Sequence, residues 1–484
     1  MRILIASSEV VPFAKTGGLA DVAGTLPKAL EAMGHDVRII MPKYKSINEE
    51  KFGLKPSRLS PLFFDVPMQG KSERAVLKSG VTGKNIPVYF IENDKYFNRE
   101  GLYGDANGDF PDNAQRFSFF SRAIIESLKA VFFKPDVIHC NDWQTGLVSV
   151  YIKTVYRNNP LIKDIKTLYT IHNIAYQGLF GIESLDSAGL PRELFNFRQL
   201  EFFGKVNYAK AGLVFSDAIN TVSEKYAQEI QTPEFGCGLE GVLKERSKDL
   251  YGIINGIDYE EWNPASDKTL PAQFDISSFE GKKICKQKLQ ERFGLPVKDV
   301  PLIGLIGRLA SQKGLDILAD AFEELMKDDM QFVLLGKGDA KYENLCQELS
   351  AKYPEKLKIV LGFDVPLSHQ IYAGTDLFMM PSYFEPCGLG QMIALRYGSI
   401  PVVHSTGGLS DTISDYDKTG GEANGFSFEE YSPKALIAAT QRAIIAFNSK
   451  VTWQNFVKKV MLQRFSWERS AKKYVEIYQK IVNA

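Results

Sequence analysis

Short apolar runs alternate with helical patterns along most of the chain, in two successive series. The first series starts at residues 3–10 and the second at 302–306, after a stretch rich in Pro and Asp at 262–274. Strands that alternate with helices form parallel sheets, because each helix returns the chain to the same edge of the sheet. The pattern therefore predicts an α/β chain with two Rossmann-like, doubly wound parallel sheets.

Each predicted strand is a mainly apolar run bounded by polar residues, Gly or Pro. In the first series these runs are residues 3–10, 37–41, 88–91, 137–140, 167–171, 218–222 and 252–254. In the second they are residues 302–306, 332–335, 358–361, 377–380 and 401–404. We predict one domain over residues 1–258, a second over 259–456, and terminal helices over 457–484. Ligands bind at the carboxyl ends of such strands, so two sheets facing each other would form a cleft.

Composition excludes several classes of function. Lys and Arg total 58 and Asp and Glu total 58, so no overall positive charge attracts nucleic acid. No apolar stretch is long enough to span a membrane or to act as the core of a signal peptide. Five scattered cysteines fit reduced thiols. We therefore expect a soluble, cytoplasmic protein that binds neither nucleic acid nor membrane.

The tetrapeptide Thr-Gly-Gly-Leu occurs at residues 16–19 and again at 406–409, each time between a strand pattern and a helical pattern. Paired glycines allow backbone N–H groups to approach an anion, and the helix that follows adds its positive dipole end. Lys15 precedes the first copy and Ser405 the second, so only the first turn brings a cation. A third Lys-Thr-Gly-Gly, at residues 418–421, lies in a polar loop and receives no function.

Two cations and a carboxylate follow strands of the second series. Arg308 ends the first of these strands and Lys313 follows five residues later. Arg can bind two phosphate oxygens and Lys adds a point charge, so the pair would stabilise a departing diphosphate. Glu385 precedes a turn in which the N–H groups of Gly388 and Leu389 could hold a phosphate. Glu385 itself could bind sugar hydroxyls or stabilise a developing positive charge.

Other polar residues lie at strand ends in the first series. Asp142, His172 and Asn255 are plausible sugar contacts, whereas His139, within a strand, is predicted to be a core residue. Cys387 has no neighbouring His in the sequence and is predicted to be a packing residue rather than a nucleophile.

Signatures of metal, dinucleotide and Walker-type sites are missing from the sequence. The Asp-Tyr-Asp at residues 415–417 is expected to be a chance tripeptide in an exposed loop.

The ordered set of these motifs resembles that of the bacterial glycogen synthases and plant starch synthases, glycosyltransferase family 5. The resemblance covers residues 15–22, 136–143, 170–173, 255–258, 307–314, 385–389 and 406–411. It implies a glycosyltransferase B (GT-B) fold whose last helix packs on the first domain. It also implies transfer of glucose from ADP-glucose to the 4-hydroxyl at the non-reducing end of an α-1,4-glucan (glycogen), with retention and without a cofactor or metal.

Site roles are implied by this resemblance, position by position. Residues implied at the donor phosphates or their pocket are Lys15, Gly18, Arg308, Lys313, Gly388, Leu389, Thr406, Gly407 and Gly408. Residues implied at the glucose are Tyr103, Asp142, His172, Asn255 and Glu385, and Phe363 is implied to stack on adenine. The catalytic set is Lys15, Arg308 and Lys313 as cations, Glu385 as a carboxylate, and His172 through its backbone carbonyl.

Some related retaining enzymes carry a second glutamate eight positions after the first, where this chain has Ile393. We therefore favour displacement on one face of the sugar over a covalent intermediate.

The alternative functions are those of a same-fold enzyme that uses UDP-glucose or another acceptor, a two-lobed sugar-binding protein, and a nicotinamide oxidoreductase. The last two would need an export signal and a glycine fingerprint, respectively.

Overall fold

The computed structural model describes residues 1–56, 63–105, 107–417 and 422–484; the third Lys-Thr-Gly-Gly, at 418–421, lies outside them. The chain divides into two compact units. Unit 1 comprises Met1–Val222, Ala227–Ile253 and Trp467–Ala484, and unit 2 comprises Ser223–Tyr226 and Ile254–Ser466.

The strands and helices of the described residues are numbered in chain order. The strands are β1 (Arg2–Ala6), β2 (Asp36–Pro42), β3 (Lys55–Pro56), β4 (Phe63–Met68), β5 (Lys71–Thr82), β6 (Ile86–Glu92), β7 (Gly104–Asp105), β8 (Gly108–Asp109), β9 (Val137–Asn141), β10 (Lys166–Ile171), β11 (Leu179–Phe180), β12 (Glu201–Phe202), β13 (Lys205–Asn207), β14 (Ala218–Thr221), β15 (Leu250–Gly252), β16 (Leu302–Ile306), β17 (Gln331–Gly336), β18 (Leu357–Leu361), β19 (Leu377–Met380), β20 (Ile400–His404) and β21 (Phe426–Phe428). The helices are α1 (Gly18–Ala32), α2 (Asp94–Phe97), α3 (Asn113–Ala130), α4 (Leu147–Lys153), α5 (Glu183–Ala188), α6 (Tyr208–Phe215), α7 (Glu224–Glu229), α8 (Glu240–Glu245), α9 (Glu280–Phe293), α10 (Leu315–Leu325), α11 (Ala340–Lys352), α12 (Val365–Gly374), α13 (Gly390–Arg396), α14 (Gly407–Thr412), α15 (Pro433–Asn448), α16 (Lys450–Met461) and α17 (Trp467–Val482).

The main sheet of unit 1 has the order β15-β14-β10-β9-β1-β2-β6-β5-β3, with β4 paired to β5. The strands from β15 to β6 are parallel, and Ile5 on β1 pairs with Ile39 on β2 and with His139 on β9. The order reverses at β1, which has β2 on one side and β9 on the other. In doubly wound sheets, ligands bind beyond the carboxyl ends of the strands at this switch point.

Two predicted strands of unit 1 differ from the observed ones. The run at 3–10 forms a strand only as far as Ala6, and residues 252–254 are replaced by β15, which ends at Gly252. Beyond Ala6 the chain bonds to itself: the Ser7 hydroxyl donates to the Glu9 carbonyl at 2.6 Å, and Val10 N–H donates to the Ala14 carbonyl at 3.1 Å. Polar side chains that bond to nearby backbone compete with sheet pairing, which ends the strand early.

Unit 2 contains a parallel sheet with the order β18-β17-β16-β19-β20-β21. All five predicted strands are present, each within one residue at either end. On β16, Gly304 pairs with Val333 of β17 and with Phe378 of β19, so the order reverses between β16 and β19. The switch point of this sheet therefore lies between the loops that carry Arg308 and Glu385.

The two terminal helices belong to different units. Helix α16 is part of unit 2, whereas α17 is part of unit 1 and buries Tyr474 and Tyr478. The Tyr478 hydroxyl lies 2.7 Å from His139 Nδ1, and Asn220 Nδ2 donates to the Tyr474 hydroxyl at 3.1 Å. These bonds attach the end of the chain to β9 and β14. Among the described residues, no helix is long and apolar enough to cross a membrane.

Candidate active site

The centre of the unit 2 site is an ion pair between Lys313 and Glu385. Lys313 Nζ lies 2.6 Å from Glu385 Oε2, and the Ser382 hydroxyl donates to the same oxygen at 3.1 Å. The Glu385 side chain is almost fully buried, whereas about a quarter of the Lys313 side chain is exposed. The ion pair therefore places a partly exposed cation at the switch point, in contact with a buried carboxylate.

A close approach of two loops forms this pair. Gly314 has φ +70°, and a Cβ atom there would lie 1.9 Å from the Pro381 carbonyl oxygen, so only glycine fits. Beside it, Tyr383 N–H donates to the Gln312 carbonyl at 2.9 Å, and Gln312 Nε2 donates to the Phe384 carbonyl at 3.2 Å. These contacts fix the loop after β16 against the loop after β19.

The second Thr-Gly-Gly-Leu turn packs directly on the backbone of Glu385. Cβ atoms on Gly407 and Gly408 would each lie 2.0 Å from a carbonyl oxygen, of Glu385 and Cys387 respectively. Gly408 N–H donates to the Glu385 carbonyl at 3.0 Å, and Thr406 N–H donates to the His404 carbonyl at 2.9 Å. Two of the three backbone N–H groups predicted to face a ligand, those of Thr406 and Gly408, are therefore bonded within the protein, and the turn supports Glu385.

Gln391 holds the turn that contains Gly388 and Leu389, and the sequence analysis did not single it out. Its buried Nε2 donates to the carbonyls of Cys387 and Gly388 at 3.0 and 2.9 Å and to the Thr412 hydroxyl at 3.1 Å. Gly388 adopts φ +71° in this turn, and Leu389 caps α13.

Cys387 lies in the same turn as a buried thiol. Burial raises its pKa to about 12, although hydrogen bonds from Asn255 lower it in part. A buried thiol with this pKa is protonated at neutral pH, which favours a packing residue over a nucleophile.

Phe363 also lies at the carboxyl ends of the unit 2 strands, beside the outermost strand of the sheet. It follows the edge strand β18, and 85% of its surface is exposed, so one aromatic face is open to solvent. From β18 through β16 and β19 to β20, the carboxyl ends of the strands present an aromatic ring, two cations, a carboxylate and the supporting turn. Asn255 lies in the same unit, buried, with no hydrogen bond to its Oδ1 among the described residues.

In unit 1, a buried glutamate that the sequence analysis missed organises the first Thr-Gly-Gly-Leu turn. The Glu9 carboxylate accepts hydrogen bonds from the Thr16 N–H and hydroxyl and from Gly17 N–H, the last at 3.1 Å. It also accepts one from the Tyr103 hydroxyl at 2.7 Å. The first two N–H groups of the predicted phosphate turn thus already bind an anion, the protein's own carboxylate. The sequence did contain a signal for this role of Glu9, because a charged residue stands inside the apolar run 3–10.

Lys15 and Gly18 flank that turn. Lys15 Nζ lies 2.7 Å from Asp21 Oδ1, with the lysine side chain 41% exposed and the aspartate side chain mostly buried. Burial raises the pKa of Asp21, and Lys15 lowers it in part. A Cβ atom on Gly18 would meet no heavy atom within 4 Å, so the first residue of α1 borders open space. These two residues remain accessible to a ligand in unit 1.

Asp142 follows β9 and has a strained backbone, with φ +56° and ψ −178°. Its Oδ1 accepts a hydrogen bond from His172 N–H at 2.8 Å. Burial raises the pKa of Asp142 to about 7, and hydrogen bonds from the His172 and Asn173 N–H groups offset this only in part. Backbone strain and a raised carboxyl pKa at a sheet switch point are features of functional sites.

We expect Asp142→Asn to stabilise the protein above pH 7. The folded carboxyl keeps its proton to about pH 7, whereas the unfolded one loses it near 3.8, so the wild-type free energy of unfolding falls as pH rises between these values. The asparagine variant lacks this loss. Urea unfolding at pH 5 and 8 should give a stability difference between variant and wild type that grows with pH. A constant difference would contradict the raised pKa.

Of the histidines that the sequence analysis considered in unit 1, His139 is confirmed as a core residue, and the role of His172 at a sugar stays a prediction. His139 is a fully buried core residue, bonded to Tyr478 and to the Thr170 hydroxyl, and burial lowers its pKa to about 3. His172 is half-buried at the end of β10, with its Nε2 2.9 Å from Asn141 Oδ1. Burial lowers its pKa to about 3 as well, so both rings are neutral at pH 7.

The Asp-Tyr-Asp tripeptide differs from its prediction at one position. Asp415 is buried rather than exposed, because Arg442 lies 2.9 Å from its Oδ1 and Ser427 N–H donates to its Oδ2 at 2.6 Å. Asp417 is exposed and also pairs with Arg442. Both carboxylates therefore fix α15 to the loop after α14. Among the described residues, no three His, Cys, Asp or Glu side chains are grouped as a metal site.

Comparison with known proteins defines the class of this chain. Residues 2–245 match the starch synthase catalytic domain family, and residues 287–459 match the glycosyl transferases group 1 family. The catalytic domain of Starch Synthase IV from Arabidopsis thaliana, bound to ADP and acarbose, superposes with a TM-score of 0.92 and 37% identity, covering 100% of this chain and 99% of that one. Sucrose-phosphate synthase from Thermosynechococcus elongatus shares the fold, with a TM-score of 0.61 and 17% identity over 100% and 99% of the two chains. The chain is a glycosyltransferase with the GT-B fold.

Full-length relatives narrow this class further. Glycogen synthases of Fervidobacterium nodosum and Geotalea daltonii are each 48% identical, covering 99% and 100% of this chain and 99% of each relative. Glycogen synthase of Thermotoga petrophila is 46% identical over 99% of both chains. The chain belongs to glycosyltransferase family 5, the family of bacterial glycogen synthases and plant starch synthases. Membership excludes the sugar-binding protein and the oxidoreductase that the sequence analysis considered.

Proposed function

We propose that the chain transfers glucose from ADP-glucose to the 4-hydroxyl at the non-reducing end of an α-1,4-glucan, with retention of configuration and release of ADP. The observation that carries this proposal is the Lys313–Glu385 pair at the switch point of unit 2, because it presents a cation with a carboxylate behind it. A cation there would stabilise the leaving diphosphate, and the carboxylate would bind the sugar or its developing positive charge. The ADP and acarbose in the Arabidopsis enzyme support a nucleotide and a glucan as ligands.

The proposed step breaks the bond between glucose C1 and the diphosphate oxygen, and ADP leaves with the electron pair. The acceptor hydroxyl attacks from the same face and passes its proton to the departing phosphate. Arg308 and Lys313 would neutralise the charge that builds on ADP. Ile393 stands on α13 where some retaining relatives have a second carboxylate, which supports displacement without a covalent intermediate.

The other site residues take roles by position. Phe363 would stack its exposed ring on adenine, and Gly388, Leu389, Thr406, Gly407 and Gly408 would shape the phosphate pocket of unit 2. Lys15 and Gly18 would contact the phosphates from unit 1. Tyr103, Asp142, Asn255 and the backbone carbonyl of His172 would contact the glucose.

Five free thiols, four of them buried, support a reducing, cytoplasmic location.

Radiolabelled glucose transfer tests this proposal. The purified chain is incubated with glycogen and either ADP-glucose or UDP-glucose, and label is counted in precipitated glycogen. We expect faster transfer from ADP-glucose, with calorimetric binding of ADP and none of NAD. Equal or faster transfer from UDP-glucose would contradict ADP-glucose as the preferred donor. Absence of transfer from both nucleotide sugars would overturn the proposed reaction.

Activity should survive chelation. Because Arg308 and Lys313 supply the positive charge at the leaving group, we expect EDTA to leave the initial rate of glucose transfer unchanged. The assay compares enzyme dialysed against EDTA with untreated enzyme, with and without added Mg²⁺ or Mn²⁺. If EDTA inactivates the enzyme and Mg²⁺ or Mn²⁺ restores the activity, a metal ion rather than the two cationic side chains neutralises the leaving diphosphate.

A further inference from the structure

Asn141, the last residue of β9, is a buried amide in contact with the His172 ring. It is 1% exposed, and its Nδ2 donates to two backbone carbonyls, of Ala6 at 3.0 Å and of His139 at 3.3 Å. Because carbonyl oxygens only accept hydrogen bonds, these contacts determine which end of the amide carries nitrogen. The amide oxygen therefore points at His172, with Oδ1 2.9 Å from Nε2.

This orientation determines where the imidazole carries its proton. An amide oxygen can only accept, so His172 Nε2 must be the donor of that bond. Burial keeps the ring neutral at pH 7, with a pKa of about 3, so Nδ1 has no hydrogen. A neutral ring with Nε2 protonated presents Nδ1 as a hydrogen-bond acceptor.

The backbone of His172 is held by Asp142, the residue that follows Asn141 in the chain. His172 N–H donates to Asp142 Oδ1 at 2.8 Å, so two consecutive residues fix the ring and the main chain of one histidine. Asn141 is anchored in turn to β1 through the Ala6 carbonyl, at the switch point of unit 1. Such support is characteristic of groups whose orientation matters for a ligand.

We propose that Asn141 is a positioning residue that sets the Nε2–H tautomer of His172, so that Nδ1 accepts a hydrogen bond from a hydroxyl of the donor sugar. The second half of this inference rests on the proposed function, which places His172 at the glucose. The first half concerns the protein alone. Among the described residues, no protein group hydrogen-bonds Nδ1, which leaves that atom for a ligand.

Nuclear magnetic resonance of the unliganded full chain tests the tautomer. The protein is labelled with ¹⁵N at its five histidines, and the His172 signals are assigned by their loss in His172→Gln. At pH 7 we expect a protonated Nε2 and an unprotonated Nδ1. A protonated Nδ1, or a ring protonated at both nitrogens, would overturn the proposal whatever the enzymatic activity is.

Kinetics of Asn141→Ala tests the consequence for the substrate. Loss of one neutral hydrogen bond that orients the ring should lower kcat/KM for the nucleotide-sugar donor roughly 10-fold and leave KM for glycogen unchanged. The matched control is Asn220→Ala, which removes another buried amide, at β14, without contact to His172. The control should keep the wild-type tautomer signal, and Asn141→Ala should show both tautomers.

The outcomes separate the two halves of the inference. The wild-type spectrum requires only folded protein, so it remains decisive if Asn141→Ala does not fold. If the tautomer is as expected but donor kcat/KM changes less than twofold in Asn141→Ala, the contact between Nδ1 and the sugar is refuted. If wild type transfers no glucose, the proposed function fails while the tautomer measurement still stands.

Discussion

Replacing Lys313 with alanine should lower the turnover of glucose transfer roughly 10²- to 10³-fold. Lys313 Nζ lies 2.6 Å from Glu385 Oε2, and in the proposed reaction it stabilises the leaving diphosphate. The measurement is the initial rate at saturating ADP-glucose and glycogen. Lys327→Ala is the matched control, because Lys327 is an exposed lysine paired with Glu324 on the same unit, and its rate should equal wild type.

Binding of ADP shows whether Lys313 acts on the diphosphate or through Glu385. If Lys313 contacts the diphosphate, calorimetry should give weaker ADP binding in Lys313→Ala, whereas Glu385→Gln should retain wild-type affinity. If Lys313 only neutralises Glu385, turnover would fall with ADP affinity unchanged. A turnover within threefold of wild type would remove Lys313 from the catalytic set.

The second large effect concerns stability. Replacing Arg116 with methionine should lower the free energy of unfolding by about 3–5 kcal/mol, because two buried acceptors and one partly buried acceptor lose their donor. The guanidinium is fully buried and donates to the Tyr96 carbonyl at 2.7 Å, to Asn113 Oδ1 at 2.7 Å and to the Leu102 carbonyl at 3.0 Å. Urea unfolding measures the change.

Arg116 also stabilises a part of the candidate site. Asn113, which it holds, donates to the Tyr103 carbonyl at 2.8 Å, and Tyr103 in turn bonds Glu9. The control is Lys129→Met on the same helix α3, an exposed position where the change should stay within about 0.5 kcal/mol. A loss below 1 kcal/mol in Arg116→Met would mean that water replaces the guanidinium as donor.

Apolar patterning predicted the fold well where strands are buried on both faces. Every strand predicted in unit 2 is present, because its run of apolar residues is bounded by turn residues. The pattern failed at residues 7–10, where Ser7 and Glu9 bond locally and end the strand. Apolar character continues past that point in Val10, so periodicity alone could not locate the end of β1.

The candidate site was predictable at strand ends and not in its supporting contacts. Arg308, Lys313, Glu385, Asp142 and His172 were identified because each follows a predicted strand. Glu9, Asn141 and Gln391 were missed, since their roles depend on which backbone groups they meet after folding. The pairing of Lys313 with Glu385 joins positions 72 residues apart, and no local pattern encodes it.

Helix α17 has a consequence for the order in which the chain is made. It is synthesised after both sheets, yet its Tyr474 and Tyr478 complete the buried polar network of unit 1, whose strands are made before those of unit 2. Until synthesis reaches residue 482, His139 and Asn220 lack these partners, and an apolar face of the nascent sheet stays uncovered. Synthesis of unit 1 therefore begins before that of unit 2 and is completed after it, and a chain that stops at Ser466 would lack α17 and leave unit 1 incomplete.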